Sequence, residues 1–147
     1  MDRRIWIIVP KSYLWVLFSG YIDEIFYFSN SARMILQTNL QHIETAEQYQ
    51  ELLREHDHVM ICCGRMGPMC VPVYQAMIEL ASDYPQVAFR DMAFDTPDAQ
   101  VIRRLPECRG FMGLPFNVYY KQGKVAEATS GLQSKEQVRD ILDRLVT

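Results

Sequence analysis

The sequence predicts an α/β domain, a central mixed β-sheet with helices on both faces. Three observations lead there. Helix-like and strand-like apolar patterns alternate along residues 34–147 in the order α β α β α β β α. The run Val59-Met60-Ile61-Cys62-Cys63 is continuously apolar, which suits a strand buried on both faces. The last two strands are joined by Gln122-Gly123, a two-residue hairpin turn that adds an antiparallel pair to the sheet.

Each element has its own signal. Thr45 can cap a helix whose apolar positions are Ala46, Tyr49, Leu52 and Leu53. After the strand at Val59, Gly64 to Pro72 is a loop with two glycines and two prolines. From Val73, the residues Ala76, Met77, Leu80 and Ala81 continue an amphipathic stripe that ends before Pro85. Val87 to Phe94 reads as a strand, and residues 97–105 as a short helix with Pro97 in its first turn. Pro106 to Gly113 is a loop, Phe116 to Tyr120 a strand, and Lys124 to Thr129 its hairpin partner. Ser134 and Gln137 form a capping-box pattern ahead of the stripe Val138, Ile141, Leu142 and Leu145.

The chain has 147 residues, the size of one domain with an appendage. Its net charge of −3 lacks the basic footprint of a nucleic-acid binder, and 49% apolar with 22% charged residues excludes disorder as the overall description. The first 33 residues differ from the rest: they hold eight of the seventeen aromatics and both tryptophans, Trp6 and Trp15. Arg3, Arg4, Lys11 and Arg33 against Asp2, Asp23 and Glu24 give that stretch +1 and leave −4 for residues 34–147. The apolar run from Tyr13 to Ile22 stops at Asp23-Glu24, too short for the ~20 residues of a membrane span. The same acidic pair sits badly in a signal peptide. Residues 1–33 are therefore read as an N-terminal extension outside the fold, 34–147 as the domain, and the cytoplasm as the expected location.

The distal half carries a resemblance. Gly113-Leu114-Pro115 precedes an apolar strand, followed by Lys121-Gln122-Gly123-Lys124-Val125, Gly131 and a helix starting at Ser134-Lys135. In order and spacing this resembles the thioredoxin family's G-[IV]-P-T strand, K-x-G turn, glycine and terminal helix. The resemblance spans essentially residues 34–147. It implies a thioredoxin-like fold, a cis-proline at Pro115, and backbone beside that proline (Leu114) that pairs with an extended segment of a client protein.

The proximal half departs from the family. Where thioredoxins carry W-C-G-P-C, this chain has Arg65-Met66-Gly67-Pro68-Met69-Cys70. Aligning Gly67-Pro68 on the family's Gly-Pro puts Met66 and Met69 on both cysteine positions. Aligning the helix through Met77, Leu80 and Tyr84 puts Cys70 on the second cysteine and Gly67 on the first, and needs no gap. Under either alignment there is no C-x-x-C, and Arg65 or Met66 replaces the tryptophan.

Four cysteines remain, Cys62, Cys63, Cys70 and Cys108. None has zinc-like spacing with a histidine, so neither metal nor cofactor is expected. Pro72 at the first helical position would place Cys70 just upstream of a helix N-terminus, where a thiolate is stabilised and its pKa should fall. Cys62 and Cys63 point to opposite faces of their strand. Cys63, at the strand end, is the better candidate of the two to face the loop, so Cys70 reads as a reactive thiol either alone or with Cys63 as partner. Asp91 and Asp95 read as solvent-facing or capping groups, and Met66, Met69 and Met112 as either core or a soft binding surface.

Two functions of different class follow. One is thiol–disulfide exchange with protein clients through Cys70, alone or with Cys63, with Gly67, Pro68, Leu114 and Pro115 lining the client site: an oxidoreductase with a degenerate motif. The alternative is a non-catalytic module of the same fold that binds a polypeptide at Pro115.

Overall fold

The computed structural model describes residues 36–147. The predicted N-terminal extension lies outside the described residues. Five strands form one sheet in the spatial order β1-β3-β2-β4-β5. They are β1 (Gln41–Ile43), β2 (His58–Gly64), β3 (Val87–Ala93), β4 (Phe116–Lys121) and β5 (Lys124–Ser130). β1 and β2 each pair parallel with β3, while β4 runs antiparallel to both β2 and β5. The helices are α1 (Ala46–Glu55), α2 (Val71–Leu80), α3 (Gln100–Arg103) and α4 (Lys135–Val146), with 3₁₀ turns at Pro97–Ala99 and Pro106–Cys108.

The alternation of each strand divides the core into two layers. On one face Met60, Cys62, Phe89 and Tyr119 pack against Val73, Tyr74 and Met77 of α2 and Val138, Leu142 and Leu145 of α4. On the other, Val59, Ile61, Cys63, Met92, Val118 and Tyr120 pack against Tyr49 and Leu52 of α1 and Ile102 and Cys108. Each long outer helix has the same start. Thr45 and Gln48 form a capping box on α1, and Ser134 and Gln137 form one on α4, each satisfying two otherwise orphaned N–H groups. The hairpin turn holds Gln122 at φ 52° and Gly123 at φ 77°. That left-handed pair matches the twist of the flanking strands.

Two expectations change. The chain enters the sheet before its first helix, through the three-residue edge strand β1, which is too short to show a period of two. Asp91 is neither solvent-facing nor a cap: it is fully buried in β3. Thr38 Oγ1 donates to its carboxyl group, and His42 Nδ1 of β1 donates at 2.6 Å. Those two bonds replace the water that an aspartate loses on burial.

Candidate functional site

The β2–α2 loop, the β3–α3 loop and the segment before β4 meet at one end of the sheet. The register makes this so, because Cys63 at the end of β2 sits opposite Phe116 at the start of antiparallel β4. Gly64 is the point of closest approach. A Cβ there would lie 2.7 Å from Cys70 Sγ, 2.8 Å from Tyr74 Oη and 3.1 Å from Pro115 Cβ. Only a residue without a side chain lets the three groups converge. The Leu114–Pro115 peptide is cis, and Gly131 N–H donates to Pro115 O at 2.9 Å, tying β5's exit to the same corner.

Cys70 is the N-cap residue of α2, with Val71 and then Pro72 as the first helical positions. The sulfur does not cap the helix. It instead accepts the Arg65 backbone N–H at 3.4 Å, and Tyr74 Oη donates to Arg65 O at 3.2 Å. Cys70 is only 3% exposed. Burial pushes its thiol above the ordinary value, against the smaller opposing pull of the Arg65 N–H, the Arg65 guanidinium and the Tyr74 hydroxyl. The expectation of a lowered pKa is thus corrected: the thiol faces inward, away from the free N–H groups that would stabilise a thiolate. Arg65 gives little help because its guanidinium forks onto Asp95, at 2.7 and 2.8 Å. That pair straps the β2–α2 loop to the β3–α3 loop. Arg65 also lies over the Phe94 ring, as Arg103 does.

All four cysteines are free thiols. The structure sorts them differently from the expected pairing. Cys62, not Cys63, shares the layer of Cys70 and Tyr74; Cys63 lies in the opposite layer with Cys108. Burial pushes Cys63 up to about 12 and Cys108 to about 11, and raises Cys62 as well. Of the expected client-site residues, Gly67 is half-buried, Pro68 exposed, Leu114 half-buried and Pro115 buried.

Cys62 belongs to a feature that spans the sheet. Cross-strand registers align His42, Asp91, Cys62, Asn117 and Thr129 as one rung over all five strands. Asn117 Nδ2 donates to Thr129 Oγ1 and to Gly131 O, both at 3.2 Å, while its buried Oδ1 has no partner among the described residues. One sequence signal pointed to this rung. In β3, Asp91 has the parity of Val87 and Phe89, and in β4, Asn117 has the parity of Tyr119, which are core positions.

Beside the exposed Arg65–Asp95 pair, the surface near Cys70 carries several exposed apolar side chains. Of five large apolar side chains left exposed among the described residues, Met66, Met69 and Val71 flank Cys70, and Met112 stands three residues before Pro115. The fifth, Leu132, follows Gly131. Beside it, a groove of about 530 Å³ runs along α2, lined by Pro72, Gln75, Glu79, Leu132 and Lys135 among others. Among the described residues, the N–H and C=O groups of Met112, Gly113 and Leu114 have no backbone partner.

This architecture has counterparts among solved structures. Fasciola hepatica thioredoxin superposes with a TM-score of 0.61 at 19% identity, covering 72% of this chain and 99% of that one. The oxidised form of mitochondrial thioredoxin 3 from Saccharomyces cerevisiae gives 0.58 at 21% identity, covering 71% and 94%. The fold is thioredoxin-like. Oxidised thioredoxin from Plasmodium falciparum shows how far sequence drifts within it, with a TM-score of 0.60 at 9% identity. No protein-family model matches the chain, and no curated protein matches it by sequence. Within the described part of this thioredoxin-like chain, no helix is long and apolar enough to cross a membrane. Nor does any group of three or more His, Cys, Asp or Glu side chains there stand where it could hold a metal ion.

Proposed function

We propose that this protein is a thioredoxin-fold docking module that binds an extended segment of another polypeptide at the Cys70–Pro115 edge, without turnover of disulfides. The observation that carries this reading is the contrast at that edge between a closed thiol and an open apolar rim. Cys70 is 3% exposed, whereas Met66, Met69 and Met112 are 47%, 50% and 97% exposed. An apolar patch around unpaired backbone suits strand addition. The N–H and C=O groups of residues 112–114 would pair with the incoming chain, and flexible thioethers would fit its side chains.

A second reading is thiol–disulfide exchange through Cys70 as the attacking thiol. It is favoured by the Arg65 N–H that Cys70 Sγ accepts, a bond that strengthens onto a thiolate. Exchange would begin with attack of that thiolate on a client disulfide, giving a mixed disulfide and releasing a client thiolate.

One pair of measurements separates the two. Fluorescein-labelled insulin B chain, reduced and carboxymethylated, should bind in an anisotropy titration. Met112→Asp, at a side chain too exposed to disturb the fold, should weaken that binding about tenfold, or roughly 1.4 kcal/mol. Intact insulin with dithiothreitol should be reduced no faster with the protein than without. Acceleration that disappears in Cys70→Ser would overturn the docking reading in favour of exchange.

A further inference from the structure

The methionines of the described chain fall into two groups with nothing between them. Met60, Met77 and Met92 are fully buried in the two core layers. Met66, Met69 and Met112 are exposed; the first two lie on the loop that leads to Cys70 and the third on the segment that leads to Pro115. Thioether oxidation follows access, since a peroxide must reach the sulfur. The product is a sulfoxide, whose oxygen is a strong hydrogen-bond acceptor on what was a flexible apolar side chain. On a free surface the change is harmless because water solvates the new oxygen. Under a docked polypeptide that oxygen loses its water, and burying it without a donor costs binding energy.

We propose that Met66, Met69 and Met112 form a peroxide-sensitive modification site that releases the bound polypeptide when it is oxidised. This inference rests on the docking reading. The step is balanced: the methionine sulfur attacks one peroxide oxygen, the O–O bond breaks, and hydrogen peroxide leaves as water. Methionine loses two electrons and the peroxide gains them. The partition between rim and core confines the chemistry to the docking edge, and the core methionines are spared while the domain stays folded. Cys70, nearly closed and with its thiol pushed up, is a poor competitor for the oxidant beside three open thioethers.

The test uses the full chain and the labelled, carboxymethylated insulin B chain. The protein is treated with dilute hydrogen peroxide, then with dithiothreitol to reverse any cysteine oxidation, and its sulfoxides are located by peptide mass mapping. The expected result is oxidation of Met66, Met69 and Met112 ahead of Met60, Met77 and Met92. Affinity should fall at least tenfold, survive dithiothreitol, and return after methionine sulfoxide reductases. The triple variant Met66→Leu, Met69→Leu and Met112→Leu, compared with itself before and after peroxide, should change less than twofold whatever its starting affinity. The proposal is overturned by sulfoxides at those positions with affinity intact, by a loss that dithiothreitol reverses, or by equal sensitivity of the triple variant. Failure of the untreated protein to bind at all removes the docking reading itself, and the sensitivity with it.

Discussion

Cys62 and Cys63 are neighbours in the chain and sit in different environments. Cys62 faces the layer of α2 and α4, where its flanking rung partners are the carboxyl group of Asp91 and the side chain of Asn117. Cys63 faces the layer of α1 and α3, among Phe116, Met92 and other apolar groups, with Cys108. One peptide unit thus separates a sulfur beside hydrogen-bonding groups from one packed as a small hydrophobe. A cysteine's chemistry follows from its side of the sheet more than from its place in the sequence.

The sharpest challenge to that comparison is at Gly64, where the Cys62 layer reaches the Cys70–Pro115 edge. Gly64→Val places methyl groups against Cys70 Sγ, Tyr74 Oη and Pro115. It should lose about 3 kcal/mol in urea unfolding, at the upper end of the usual overpacking range. A loss below about 0.5 kcal/mol would mean that the three groups do not converge there.

Next come the two cysteines themselves. Cys63→Ser puts a hydroxyl among apolar side chains and should lose about 2 kcal/mol. Cys62→Ser puts the same hydroxyl on the polar rung between Asp91 and Asn117, and should lose less than about 1 kcal/mol. Equal losses in the two variants would abolish the distinction between the layers.

The smallest effect belongs to Asp91, and its sign comes from linkage. Burial raises the folded-state pKa above the ordinary 3.8, against the smaller pull of Thr38 and His42. The folded chain therefore holds a proton that the unfolded chain releases, in the window from 3.8 upward. The stability carried by that proton is complete below the window and is lost as pH rises through the folded-state value. Asp91→Asn should flatten this fall, gaining up to about 1 kcal/mol at pH 7 and nothing at pH 3 in matched denaturation curves. A variant whose pH profile overlays that of the native chain would place the titration elsewhere.

Most of the fold was legible because it rests on local signals. Ser134 with Gln137, the stripe from Val138 to Leu145, and Gln122-Gly123 each specify their element without help from distant residues. Strand β1 was not legible, since three residues carry no period and its order comes from Asp91, far along the chain. The site was legible in place but not in orientation. Spacing located Cys70 at the start of α2, but which way its sulfur points depends on the missing side chain at Gly64 and the approach of Pro115, both non-local. The same holds for Asp91. A charged residue in a strand suggests solvent, and only the partners supplied by the edge strand overrule that.

The contact at Gly64 also reaches into how this protein varies among its descendants. A single Cβ at position 64 collides with the sulfur at 70 and the hydroxyl at 74, so these three positions share one fixed volume. A lineage that acquires alanine at 64 must turn or trim both neighbours; phenylalanine in place of Tyr74 and a smaller residue in place of Cys70 remove the two atoms that collide. The residues at 64, 70 and 74 should therefore change as a set, because they divide one space among them.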